Sequence, residues 1–236
     1  MKRRALSLLG LVMFCQNAAS AEWALDAELG WVLSGGNTDT STLNAKINGK
    51  REVGLWGYGG RYETLRTEEN EVQTAKKYLI EATAMRKFDE HNFLFGSVLR
   101  EDDDFSQYDY QATVALGYGR QLLKSDAMLL TAEIGPGFRY SRFEVPVDDE
   151  DSEDDTILRL ASRFEWKFVE TASFTQSITV DGGEEQVISK SETALKTQVA
   201  GNLAMKASLV IRHNDEPLEG DANTDRETAL TLVYSF

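Results

Sequence analysis

Apolar and polar residues alternate with a period of two along almost the whole chain, and that period belongs to strands rather than helices. From Trp23 the odd positions read Trp23, Leu25, Ala27, Leu29, Trp31 and Leu33, opposite Ala24, Asp26, Glu28, Gly30, Val32 and Ser34. The chain finishes on Thr228, Leu230, Leu232, Tyr234 and Phe236, opposite Glu227, Ala229, Thr231, Val233 and Ser235. A soluble domain would bury such a row, and its terminus would fray into water rather than close on an aromatic ring. A last strand that pairs with the first, turns its apolar row to lipid and sets Tyr234 and Phe236 at the membrane interface accounts for both features.

Between these ends the same pattern recurs, in about twelve runs altogether, an even number within the range of bacterial outer-membrane barrels. The expected outward rows include Trp56, Tyr58 and Tyr62; Tyr78 and Ile80; Phe93, Phe95, Ser97 and Leu99; Val114, Leu116 and Tyr118; Ile134, Phe138 and Tyr140; and Leu158, Leu160, Phe164, Trp166 and Phe168. Pro136 cannot donate to a ladder and is expected to mark a bulge. Long acidic spacers, at Arg66 to Ala75, Glu101 to Asp109 and Phe143 to Thr156, alternate with short turns, and Asp181-Gly182-Gly183 reads as a further loop. The expected fold is all-β: a transmembrane antiparallel β-barrel of about 12 strands with long acidic extracellular loops and short periplasmic turns. Past its start the chain has no run of the roughly 20 apolar residues that a membrane helix needs, so only a closed barrel could span.

The start is read separately. Lys2, Arg3 and Arg4, the apolar stretch Ala5 to Phe14 and the small residues Ala19-Ser20-Ala21 follow in the order of a secretory signal peptide, so residues 1–21 are expected to be removed and 22–236 to form one barrel domain. Cys15 would suit a lipoprotein only with a small residue before it, and Phe14 is bulky. It is the only cysteine, so the mature chain holds neither a disulfide nor a thiolate metal site. Removing the leader leaves 22 basic against 39 acidic side chains, a net charge of −17, which excludes nucleic acid as an expected partner.

Three segments carry a resemblance to a known family. Trp23, Gly30 and Ser34-Gly35-Gly36-Asn37-Thr38-Asp39-Thr40, together with Gly117-Tyr118-Gly119-Arg120 and Thr231-Leu232-Val233-Tyr234-Ser235-Phe236, resemble the YdiY-like salt-induced outer-membrane proteins, a family of domains of unknown function. That family typically reads G-x-x-x-x-S-G-N-T-D-T, and this chain has one glycine more. The resemblance implies an outer-membrane barrel over essentially the mature chain and a link to salt or pH stress. It brings no catalytic residues.

The inward face is expected to hold Arg61, Glu63, Glu81, Glu133, Arg139, Arg159, Arg163, Glu165, Lys206 and Arg212. Facing lipid at mid-depth, Arg or Lys would each cost about 2–4 kcal/mol. Charges of both signs there fit a narrow, porin-like path whose walls select solutes, and equally a barrel filled by ion pairs, since twelve strands lie between the filled eight-strand barrels and the open sixteen-strand ones. The acidic run Asp148 to Asp155 lacks the spacing of an EF-hand, and no metal or cofactor is expected. An outer-membrane hydrolase is the rival class, but it needs a nucleophile beside a base, and the two histidines, His91 and His213, have no such partner at readable spacing. The expected partners are outer-membrane lipid, lipopolysaccharide and the barrel assembly machinery, with Tyr234 and Phe236 as its signal. Oligomeric state is open.

Overall fold

The computed structural model describes residues 22–34, 40–70, 72–104, 106–147, 149–218 and 222–236. The proposed leader, the Gly35 to Asp39 motif and Asp148 lie outside them. The described residues form twelve strands: β1 Ala24–Ser34, β2 Thr40–Val53, β3 Trp56–Glu69, β4 Val72–Lys87, β5 Asn92–Asp103, β6 Tyr108–Lys124, β7 Met128–Val147, β8 Glu150–Val169, β9 Ala172–Gly182, β10 Val187–Ala200, β11 Leu203–Asn214 and β12 Thr224–Ser235. Each pairs antiparallel with its sequence neighbours, and β1 also pairs with β12, so the sheet closes on itself. The closing ladder matches Leu29 with Leu232 and Asp26 with Ser235, and the Phe236 amide donates to the Leu25 carbonyl at 2.9 Å. Closure leaves no strand edge unpaired, which is the condition for a sheet surrounded by hydrocarbon.

The two faces are the reverse of a soluble protein's. On β12 Leu230 and Leu232 are 58% and 51% exposed, whereas Thr231 and Val233 are 3% and 1% exposed. The same split places Ile47, Ile80, Leu116, Ile134 and Leu158 outside, and Lys46, Arg139 and Arg159 inside. Aromatic side chains mark both ends of the outer belt. Trp56 stacks on Tyr58, Trp166 packs on Phe168 and Tyr234 on Phe236 near the rim that holds the short turns, while Tyr110 packs on Tyr140 towards the opposite rim. An apolar belt between two aromatic girdles is the surface a bilayer requires.

Three expectations need correction. The row Phe93, Phe95, Ser97 faces inward, and Leu94 and Val98 face out. Both faces of this strand are rich in apolar residues, so alternation alone cannot phase it; the glycines of the neighbouring strand do. Gly119 and Gly117 are the register partners of Phe93 and Phe95, and a Cβ on them would lie 2.2 Å and 2.7 Å from the two rings. Only a strand without side chains at those points can seat both rings on the inner wall, where they cluster with Ala115 and Met85.

Pro136 makes no bulge. It pairs with Leu158 in unbroken register, and the shifts in the β6–β7 ladder fall instead between Tyr108 and Tyr110 and between Gln121 and Leu123. The β6–β7 pairs simply lapse between Ala115↔Gly137 and Tyr118↔Ile134, where Pro136 has no N–H to give. There a Cβ on Gly135 would lie 2.0 Å from the Leu116 carbonyl oxygen, so the two backbones approach more closely than side chains allow.

The third correction concerns the spacers. Asp181 belongs to β9, and Glu150 to Asp155 open β8. β7 and β8 are 20 residues each, about twice the 9–11 that span a bilayer, so their acidic end stands on a hairpin projecting beyond the belt. The β1–β2, β3–β4, β5–β6, β7–β8, β9–β10 and β11–β12 links share this acidic rim, and both chain ends of the barrel lie at the other.

Candidate functional site

The lumen is crossed by charged side chains at three levels. Nearest the turn rim, Arg163 meets Glu165 at 2.6 Å, Lys50 on β2 approaches Glu165 at 4.0 Å, and Lys196 reaches Asp26 at 3.5 Å. At mid-depth Glu192 on β10 is a hub. Its carboxylate lies 3.8 Å from Lys46, 3.5 Å from Arg61 and 3.8 Å from Lys206, which sit on β2, β3 and β11. Each of those cations has a second carboxylate: Lys46 takes Glu63 at 3.1 Å, Arg61 takes Glu81 at 3.2 Å and Lys206 takes Glu28 at 3.0 Å. Five steps round the ring separate β3 from β10, so the Arg61–Glu192 contact runs across the barrel and not along its wall.

Towards the acidic rim the chords continue on both sides. Arg159 makes a two-pronged pair with Asp181, at 2.7 Å for each bond, and sends Nη1 across to Ser97 Oγ on β5 at 2.9 Å. The planar guanidinium suits a carboxylate in this fork geometry, which fixes its direction. Arg139 pairs with Asp155 at 2.7 Å, both almost wholly buried. Arg212 on β11 meets Glu101 on β5 at 3.0 Å and donates to Gln111 at 2.8 Å, and Lys190 approaches Glu101 at 4.0 Å.

Nine of the ten inward candidates therefore sit in ion pairs. Glu133 is half-buried on β7, and its carboxylate is in no ion pair among the described residues. Glu28, Lys46, Glu101, Asp155, Asp181 and Glu192 join the network without having stood out in the sequence. Glu101, Asp155 and Asp181 stand in stretches that read as spacers, and the reversed phase of β5 is what turns Glu101 inward. Glu28 and Lys46 stood on the polar side of their runs but carried no further signal. His213 Nδ1 lies 2.9 Å from Thr224 Oγ1 near the acidic rim, while His91 is in the β4–β5 link at the other, so the two histidines share no site.

Above the mid-depth network two adjoining hollows of about 300 and 340 Å³ open towards the acidic rim. The first lies on the side of β3 to β5 and β10 to β12, the second reaches from β4 and β5 to Tyr108 and Gln111 on β6, and they share Lys77, Glu101, Asp103, Arg212 and Asp225. Carboxylates outnumber cations around the first, with Glu63, Glu192 and Glu227 added to the acidic side.

A closed ring of twelve antiparallel strands, apolar outside and ionic inside, defines a transmembrane β-barrel. Residues 27–236 match the family described as "Protein of unknown function, DUF481", and the chain belongs to that family. It is 28% identical over 223 residues to the Escherichia coli K12 protein described as "Uncharacterized protein YdiY", covering 92% of this chain and 86% of the other, so the resemblance drawn from the three motif segments is borne out. Among solved structures it is similar to the NanC porin, with a TM-score of 0.57 at 10% identity over 89% of this chain and 98% of that one. The KdgM porin in complex with disordered oligogalacturonate has a TM-score of 0.50 at 12% identity, covering 90% and 99%. The translocator domain of the autotransporter NalP from Neisseria meningitidis also has 0.50, at 10% identity, covering 91% and 87%. At such identities the likeness is one of fold.

Proposed function

We propose that this chain is an outer-membrane protein that acts as a narrow, charge-lined conduit for small ions and solutes. The observation that carries the reading is the lumen itself, with Glu192, Lys46, Arg61 and Lys206 in a connected network below a wet acidic vestibule. Stability alone does not call for such a filling, because well-packed apolar residues replace buried ion pairs at no loss or a gain of roughly 1–4 kcal/mol. The chain uses an apolar filling at Phe93, Phe95 and Ala115 and keeps charges elsewhere. Paired charges that water can reach offer exchangeable ligands to a hydrated ion, and their spacing sets what enters.

In this reading residues 1–21 direct export, the barrel assembly machinery inserts the chain, the turn rim faces the periplasm and the acidic rim faces lipopolysaccharide. The surplus of carboxylates at the vestibule favours small cations over acidic saccharides such as the oligogalacturonate seen with KdgM. A role in salt or pH stress of the envelope follows from the family resemblance. A second reading has one observation in its favour: the Arg159–Ser97 and Arg212–Glu101 chords leave little clear width, as in a filled barrel that serves the envelope without transport. Single-channel recording on refolded protein beginning at Glu22 decides between them. Small, reproducible current steps are expected of the conduit, and a silent bilayer with correctly folded protein would establish the filled barrel.

A further inference from the structure

The β9–β10 link turns into the mouth at Gln186. Glu184 and Glu185 are exposed, but Gln186 is 3% exposed because it turns into the lumen. Its side chain donates to Tyr108 Oη on β6 at 3.3 Å and to Glu153 on β8 at 3.1 Å, and accepts from Asn214 Nδ2 on β11 at 2.8 Å. Tyr108 is four strands away round the ring, so this is a contact across the mouth.

Two further residues clamp the turn from below. The Asp155 carboxylate accepts from the Glu184 amide at 3.0 Å through Oδ1 and from Arg139 Nη2 at 2.7 Å through Oδ2. The same Arg139 nitrogen donates to the Gln186 carbonyl at 2.8 Å, an acceptor that also takes the Gly183 amide at 3.2 Å. Asp155 packs so closely that a Cβ on Gly183 would lie 1.8 Å from its Oδ2. Tyr108 stacks on Phe143 at 5.5 Å, completing a plug that closes the β6 to β9 side of the mouth. The first hollow lies on the opposite side, and the second abuts the plug at Tyr108 and Asn214.

We infer that Gly183 to Gln186 form a strap folded into the mouth, clamped by Asp155 and Arg139, which confines passage to the half of the lumen beside β3 to β5 and β10 to β12. This rests on the conduit reading and adds to it the element that sets the size limit. The strap bars the β6 to β9 side and delivers solute to Glu101 and Arg212, where charge can act on it.

The contact of Asp155 with the Gly183 Cβ position supplies the test. Paired cysteines there meet the closeness a disulfide requires, and protein beginning at Glu22 holds no other cysteine. The double variant Asp155→Cys, Gly183→Cys should cross-link under mild oxidant and then pass wild-type currents. Reduction removes the clamp and should raise conductance severalfold and admit larger polyethylene glycols. Gln186→Ala, which keeps the clamp, should give a smaller rise in the same direction. Failure to cross-link in folded protein that conducts normally overturns the strap alone. So do a cross-link whose reduction leaves conductance and size limit unchanged, and a Gln186→Ala variant with wild-type currents. A complete cross-link with no current from any variant, oxidised or reduced, overturns the conduit reading instead and removes the strap's role with it.

Discussion

Arg212 on β11 and Glu101 on β5 lie 111 residues apart in sequence and on diametrically opposite strands, yet their side chains meet at 3.0 Å. The lumen at that level is therefore no wider than two extended side chains. Both groups keep about a quarter of their surface, so the pair is a wet one and water can replace either partner.

Truncating Arg212 follows from that geometry. Arg212→Ala removes the bond to Glu101 and the one to Gln111, and leaves Glu101 with Lys190 at 4.0 Å. Conductance should rise and cation preference strengthen, because the uncovered carboxylate then faces the path. The loss in stability should be about 1.5–3 kcal/mol, the usual worth of a hydrogen bond to a charged group. Planar-bilayer recordings and urea unfolding in micelles read the two effects separately, and unchanged current would remove this pair from the path.

Arg159 is a different case, because its partner is almost sealed from water. Arg159→Ala strands the Asp181 carboxylate, 9% exposed, and should cost about 3–5 kcal/mol. Replacing both at once, with Arg159→Met and Asp181→Leu, should recover most of that loss, since apolar filling avoids the desolvation of two ions. The midpoint of denaturant unfolding for the two variants checks it. Equal destabilisation in both would mean that Arg159 acts through Ser97 and not through its ion pair.

What could be read in the sequence divides along physical lines. The runs at Trp23 and Thr228 have one plainly apolar face and one polar face, so a one-residue slip would expose charge to lipid and their phase is forced. At Phe93 to Leu99 both faces carry apolar residues, and the deciding fact is the pair of glycines on a neighbouring strand, invisible within the run itself. Asp155 and Asp181 sat in acidic or glycine-rich context that reads as loop, and only their arginine partners draw them into strands. Contacts such as Arg61–Glu192 depend on which strands stand opposite in a closed ring, a property of strand number and stagger with no local signal.

Acid should loosen the β4–β5 turn before the barrel. Asp89 has its pKa lowered by the side-chain hydrogen bond from Asn92, helped by the amides of His91 and Asn92. A depressed carboxylate contributes stability that is complete above its unfolded value, about 3.9, and is lost as pH falls through the lower folded one. Amide exchange at His91 and Asn92 should therefore rise below that range, and Asp89→Ala should raise it already at neutral pH. Exchange that is flat with pH would show that the backbone alone holds this turn.

The closing strand can be tested against the acidic hairpin. Phe236 binds β1 through its amide and packs its ring edge-on against Tyr234 with centroids 4.8 Å apart, so it belongs to both the seam and the aromatic girdle. Deleting it should cut the yield of folded protein in the outer-membrane fraction. Shortening the acidic run is a poor control because Asp155 is buried against Arg139; the charge variant Asp149→Asn, Glu150→Gln, Asp151→Asn leaves that pair intact. Its yield should stay near wild type, and equal losses in the two variants would deny the closing residue a special part in assembly.

The same charge variant settles where selectivity arises. Carboxylates at the acidic rim act through water over about 10 Å at 0.1 M salt, the Debye length, and over less as salt rises. The inner wall acts at contact distance through Glu101, Glu192 and their cations, where added salt screens far less. If the rim concentrates cations, the wild type should show a cation-selective reversal potential in a salt gradient at low ionic strength that fades at high. Neutralising Asp149, Glu150 and Asp151 should then move the low-salt potential towards zero and leave the high-salt value unchanged. A potential that keeps its size at all salt concentrations and ignores those three substitutions would place selection at the Glu192 network, and Glu192→Gln should then abolish it. Anion preference at low salt would contradict the acidic vestibule as the entrance.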